Sequence, residues 1–437
     1  EEAWYYFQST GKRAENKKIV YKGKTYFLDA EGKMLTGWVT ADGTQVVNEE
    51  NGIDKDDTYY CGEDGARLAD AWVYTTEPTA EDDEADADEY YYYLKPGNGR
   101  PVVNAKRNNV RGQSYIFDEE GRMLWGWVAK IASGSDAKYE KIDEEEDTDV
   151  YLSNRDYSEV YYCSEELDGH VKKNRWIKLW RPKDTYEEDG DVSKKWYWIE
   201  KDGKVYIPSS ASEIDAYAQK FEEGNILDDC DNKPKTITSK KISSKDYYFN
   251  EDGEMVSGFQ WIEFATGSNA TGMYYFGGSD DGSMKTGSQS IKDDNGDTYK
   301  FYFGTRTVTE EVKGKGVNGN KSNKLYFHGM LIKAEDYKYQ VVEMKLNGKD
   351  RAFIVNQNGS IQHAYSEYKE DGDILISAKP VKENNVETYK VKFLSTNKDY
   401  KYENEKYAVE VEIGEELYNK VAPIDAHAYV YGFAIEK

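Results

Sequence analysis

The chain has 437 residues and a formal net charge of −25, with 38% hydrophobic and 14% aromatic residues, among them 39 Tyr and 10 Trp. So negative a balance excludes a nucleic-acid binder, which would have to neutralise phosphates, and it disfavours an anionic membrane surface. Low hydrophobic and high aromatic content points to a core of flat rings bridging thin hairpins, a role Tyr suits because it can bury one ring edge and keep its hydroxyl wet.

Hairpin signals begin at Trp4 to Phe7 with Gly11 and sharpen in the stretch from Tyr26 to Val39. There an aromatic strand runs into an acidic turn closed by Gly32 and then into a short second strand. The stretch returns from Tyr115 to Val128, with Gly32/Gly121, Met34/Met123, Gly37/Gly126 and Trp38/Trp127 in register. A third copy, Tyr248 to Phe259, keeps the glycines and Met255 and puts Phe259 where the Trp stood. Weaker hairpins fill the gaps, so that three hairpins make one larger unit. These triads cover about residues 1–75, 90–180 and 195–290, with a degenerate fourth over 299–363. Repetition of this kind predicts an elongated β-hairpin solenoid over 1–363, each hairpin burying its aromatic face against its neighbours.

Between hairpins, residues 79–89 and 143–149 are acidic runs read as solvated loops. The longer insertion over about 208–245 contains Ser212 as an N-cap, with Ile214, Tyr217, Ala218 and Phe221 on one helical face and Gly224 as a stop. That spacing predicts one short helix. From 364 to 437 the repeat fades into alternating strands at Asp373–Ile376, Tyr389–Phe393, Val409–Ile413 and Tyr429–Tyr431, a small β domain or a cap for the last open edge.

Cys61 and Cys163 occupy a slot held elsewhere by Leu28 and Phe249 and read as small buried core residues, while Cys230 in an acidic loop reads as a free thiol. The four histidines, His170, His328, His363 and His427, have no Ser or Cys partner at a recognisable spacing, so no catalytic residues are expected. Asp293 to Asp297 resembles part of a calcium loop, but Gly296 comes too early and Gly304 stands where the closing Glu belongs. The expectation is no cofactor and no metal site, with a structural calcium ion in the acidic loops as the minor alternative. No apolar run reaches the length of a membrane helix. A secreted protein would have lost its signal before Glu1.

The repeat resembles the cell-wall-binding repeats of Gram-positive surface proteins: choline-binding modules, glucan-binding repeats and the C-terminal repeats of clostridial toxins. Tyr26 to Val39 and Tyr115 to Val128 carry the resemblance, and weaker matches span most of 1–363. It implies a non-enzymatic hairpin solenoid holding ligands between hairpins, in boxes made from the Gly-Trp ring of one and the first aromatic of the next. Those boxes would take a quaternary ammonium by cation–π attraction or stack on sugars. Here the first aromatic is replaced by Thr25, Thr58, Ser114, Val160, Asp246 and Met273, and survives at Trp4, Tyr91 and Trp196. Two boxes remain as candidate ligand sites, Trp72 with Tyr91 and Trp176 with Trp196. Trp38 and Trp127 read as core, and Trp125 as an extra ring open to solvent or to the following insertion. The implied protein is an extracellular, cell-wall-associated binder of polysaccharide or choline-decorated polymer. The alternative is a surface spacer or filament protein whose rings are all core and whose partners are other surface proteins.

Overall fold

The computed structural model describes residues 3–40, 52–78, 88–132, 134–142, 152–153, 156–182, 194–208, 214–228, 235–308, 311–334, 339–362, 367–370, 373–383, 386–392, 399–401, 410–412 and 424–432, with the backbone alone at 349–350 and in the five segments from 367 to 412. Among these residues nearly every element is a strand, arranged in sheets of two to six strands that are antiparallel except where Ile424–Asp425 pairs parallel with Tyr339–Leu346. The fold is all-β and built of repeated hairpins. Contacts divide the chain into two compact units, Glu1–Ile207 and Pro208–Lys437.

The second hairpin shows how the repeat is made. Strand Lys17–Tyr21 pairs with Lys24–Leu28 across a two-residue turn in which Lys22 and Gly23 both take positive φ (50° and 80°). Such a turn matches the right-handed twist of the strands. Leu28 then bridges to Met34 across the acidic turn, where Gly32 has φ 75° and Asp29 Oδ1 accepts from the Glu31 and Lys33 amides. Gly37 turns the chain into strand Gly37–Thr40, which pairs with Thr58–Cys61. The same bridge joins Phe117 to Met123 and Phe249 to Met255.

Two ties fasten one hairpin to the next. Each repeat methionine lies under the turn glycine of the following hairpin: a Cβ on Gly65 would fall inside the Met34 side chain, and likewise Gly169 on Met123, Gly282 on Met255 and Gly314 on Met284. These glycines also hold positive φ, so both space and conformation require them. The second tie is main-chain. The Met34 amide donates to Trp4 O, Met123 to Tyr91 O, Val171 to Ser114 O, Val205 to Val160 O, Met284 to Asp246 O and Gly316 to Met273 O. Every acceptor opens an aromatic run. A carbonyl serves whatever the side chain, so this position varies without loosening the stack.

The Gly-aromatic ring of the motif is core. Trp38 faces Tyr60 across the strand pair (centroids 5.1 Å apart) and Tyr92 of the next hairpin (4.9 Å). Trp127 repeats this with Tyr162 (5.3 Å) and Tyr197 (5.0 Å), and Phe259 with Tyr275 (4.5 Å) and Phe301 (5.2 Å). Trp38, Trp127 and Phe259 are all buried. Cys61 and Cys163 are buried free thiols, and burial pushes each up to about 12. Cys230 and the acidic runs over 79–87 and 143–149 lie outside the described residues.

Two sequence expectations are overturned. The helix placed within 208–245 is instead strand Asp215–Glu222, which pairs with Asn225–Asp228 and Phe259–Glu263. Gly224 ends no helix; with Glu223 it forms a positive-φ hairpin turn. The apolar spacing suited either structure, and the open edge of Phe259–Glu263 supplied the hydrogen-bond partners that decided it. Alternation then sends Ala216 to one buried cluster and Phe221 to another. Conversely, Tyr429–Tyr431, expected as strand, lies in helix Ala426–Tyr431. Asp425 caps it by accepting from the His427 and Ala428 amides, and Gly432 ends it in a left-handed conformation. Its Ala426, Val430 and Tyr431 enter the core of the second unit.

Candidate binding faces

Both predicted ring pairs sit on antiparallel hairpins in the first unit, at equivalent places. In the 71–94 hairpin Trp72 lies opposite Tyr93, and Tyr74 opposite Tyr91. In the 175–199 hairpin Trp176 lies opposite Trp198, and Lys178 opposite Trp196. Cross-strand partners share a face and residues two apart return to it, so each hairpin gathers four such side chains on one side. The motif predicts rings meeting across a hairpin junction; the structure makes Trp72 and Tyr91, and Trp176 and Trp196, diagonal neighbours on paired strands.

Around Trp72 the rings are close. Tyr93 is 5.1 Å away, Tyr91 6.3 Å, and the next hairpin adds Tyr115 at 4.8 Å and Phe117 at 5.8 Å. Tyr93 donates to Asp70 Oδ1 (2.6 Å), and burial with this bond pushes its phenol up to about 12. Packing thus takes up most of Trp72. Trp72 and Tyr91 remain half-buried, and Tyr74, 49% exposed, stands 4.6 Å from Tyr91.

In the 175–199 hairpin Trp176 contacts Trp198 at 5.4 Å, and Lys178 Nζ stands 5.8 Å from the Trp196 ring centre. Trp176, Trp196 and Trp198 are half-buried and Lys178 is exposed. The opposite side of the strands, with Ile177, Tyr197 and Ile199, packs into the core. The structure therefore places three indoles and an ammonium on one partly open face.

Trp125, the extra ring, borders a cavity of about 470 Å³ with Trp127, Tyr162 and Trp180. Lys141 Nζ lies 3.4 Å from the Trp125 ring centre, so a protein ammonium already covers this ring. Trp127 Nε1 donates to Trp180 O (3.0 Å), closing the cavity's inner wall. The unusual Trp125 was legible in the sequence; its lysine was not, because only strand pairing brings Lys141 back to it.

Among the described residues no three His, Cys, Asp or Glu converge as a metal set. In the calcium-like loop Asp293 Oδ1 accepts the Asp297 amide, and Asp294 Oδ1 turns away to the Glu223 amide. His170 pairs with Asp168 (2.7 Å). No helix among the described residues is long and apolar enough to cross a membrane.

No family model matches the chain, and no curated protein does. Solved structures do. The modular autolysin LytC from Streptococcus pneumoniae matches at 14% identity over 79% of this chain and 55% of its own, with a TM-score of 0.34. Choline-binding protein F from the same bacterium, solved with a peptidoglycan analogue, matches at 18% identity over 82% and 98%, with a TM-score of 0.27. The chain resembles these choline-binding repeat proteins. An alternansucrase in complex with isomaltononaose also matches, at 13% identity over 90% of this chain and 23% of its own, with a TM-score of 0.20. The superpositions are loose, and the chain spans 55% of the length of the autolysin.

Proposed function

We propose that the chain is a non-catalytic, extracellular binding protein that holds a cell-wall polysaccharide or a choline-decorated polymer on its aromatic faces. The observation that carries this reading is the partly open face of Trp176, Trp196 and Trp198. A face of half-buried indoles offers flat apolar area for a sugar ring and negative π-surface for a quaternary ammonium. The repeat it shares with wall-binding proteins supports a polymeric ligand. Single contacts of this kind are worth roughly 0.5–1 kcal/mol each, so retention would come from several repeats engaging one polymer.

A second reading, a surface spacer with protein partners, is favoured by Trp72, which the next hairpin has covered with Tyr115 and Phe117. One experiment separates the two. The Trp176→Ala/Trp196→Ala variant is passed over a choline resin and a panel of immobilised glycans, with its melting curve recorded. Polymer binding predicts lost retention in a variant that still unfolds in one cooperative transition. Unchanged retention with a much lower melting temperature would give the result to the spacer.

A further inference from the structure

The second unit contains a cavity of about 630 Å³ whose chemistry opposes that of the whole chain. In a protein of net charge −25, its lining holds Arg306, Lys315, Lys321, Lys345 and Arg351 against the single carboxylate of Glu311. Glu311 is fully engaged by the protein. One oxygen accepts from the Thr305 amide (2.7 Å) and hydroxyl (3.1 Å), the other from Lys321 Nζ (2.6 Å), and the lysine bond holds its carboxyl down to about 2. It neutralises Lys321 alone.

Among the described residues Arg306, Lys345 and Arg351 make no ion pair, and Lys315 bonds only the carbonyl of Asn269. Burial pushes the Lys315 ammonium down, as expected of a half-buried cation with no counter-charge. The asparagines add donors. Asn318 and Asn320 spend their side-chain oxygens on the His328 and Asn323 amides, which leaves both NH₂ groups for a ligand. The fold fixes these groups: Arg351 and Lys345 lie on the paired strands Tyr339–Leu346 and Lys349–Asn356, and Lys315 on the turn whose Gly316 amide docks on Met273 O.

We propose that this cavity binds the anionic group, phosphate or carboxylate, of an acidic glycan polymer. Its size suits one or two sugar units. Two arginines and two lysines in a polar pocket recognise an oxyanion by charge-assisted hydrogen bonds. A neutral sugar or a choline would find neither an aromatic wall dominating the site nor a negative charge. The inference extends the polymer-binding reading but depends on different residues in the other unit, so each can fail alone.

The test uses the full chain and two probes, choline-free poly(glycerol phosphate) and polygalacturonate, with neutral dextran as control, measured by titration at low and moderate salt. Binding of either acidic polymer, weakening with salt and at least about tenfold weaker in Arg306→Gln/Arg351→Gln, is the expected result. The probe that binds identifies phosphate or carboxylate as the recognised group. Equal affinity for dextran, no binding of either acidic polymer, or an unchanged double variant would overturn the proposal. If the double variant does not fold, exposed Lys345→Gln takes its place under the same criteria. The Trp176→Ala/Trp196→Ala variant should bind the acidic probe as the parent does. Loss there would assign the anion to the aromatic face instead.

Discussion

The 71–94 and 175–199 hairpins begin from the same plan and end in different states. Each sets a Trp at the second position of its first strand against an aromatic ladder on its second. In the earlier hairpin the following strand Gln113–Phe117 brings Tyr115 and Phe117 onto Trp72, and the ring becomes packing. In the later one Trp176, Trp196 and Trp198 are half-buried, as Trp72 and Tyr91 are, but Lys178 stands where the earlier hairpin has Tyr74. Trp72 is therefore packed by the hairpin that follows it.

Three substitutions press on that difference. The largest effect belongs to a ring closed on both sides. Trp38→Ala removes a buried indole held between Tyr60 and Tyr92, and the first unit should lose about 3–5 kcal/mol, read as a lower denaturation midpoint. Trp72→Ala and Trp176→Ala should each cost less, because both rings are half-buried. A cost at either one equal to that of Trp38 would remove the distinction between closed and half-buried rings.

Next comes the docking of the hairpin that closes Trp72. Its turn glycine, Gly121, has φ 81°, and a Cβ there would stand 3.3 Å from Val102 O of the hairpin before. Gly121→Ala should cost about 1–2 kcal/mol for the left-handed conformation, with a little more for the tight approach. Gly37→Ala shares the positive φ but meets nothing within 4 Å, so it isolates the conformational part. Urea midpoints of the two variants, compared directly, give the docking contribution. A Gly37 variant as costly as the Gly121 variant would mean that approach to Val102 matters little.

Much of this was legible in the residues. The motif from Tyr26 to Val39 announced strand, turn and return, and the structure adds why Met34 and Gly32 belong to it: each docks against a neighbouring hairpin. The core roles of Trp38, Trp127, Cys61 and Cys163 followed from register alone. Local pattern failed where a long-range partner decided. The 214–221 stretch had helical spacing, but the edge of Phe259–Glu263 claimed it as strand. For Tyr429–Tyr431, the cap at Asp425 and the stop at Gly432 outweighed a short alternation. The rings were named from the sequence, while the cover on Trp72 was not, since Tyr115 and Phe117 reach it only through stacking. The basic cavity was invisible for the same reason. Its cations are scattered from 306 to 351 in a chain whose overall charge points the other way.

The smallest expected change is also the one that tests the comparison most directly. Lys178→Tyr rebuilds on the later hairpin the ring that Tyr74 provides on the earlier one. Lys178 Nζ stands 5.8 Å from the Trp196 ring centre, at the outer limit for a cation–π contact; losing that contact should cost about 0.5–1 kcal/mol, and the new ring pair returns a similar amount. Stability should stay nearly level. The face, however, changes character. The native ammonium competes for the indole with any ligand ammonium and repels it, and the phenol does neither. Elution of the variant from a choline resin should therefore need a higher concentration of free choline, while retention on neutral glycans rises less. The electrostatic part should fade as salt is raised, since the exposed charge is screened over roughly 10 Å at 0.1 M. If elution shifts downward for choline, the lysine is a contributor to the ligand site and not its competitor. The later hairpin would then be a face specialised for another ligand, no longer the open form of the earlier one.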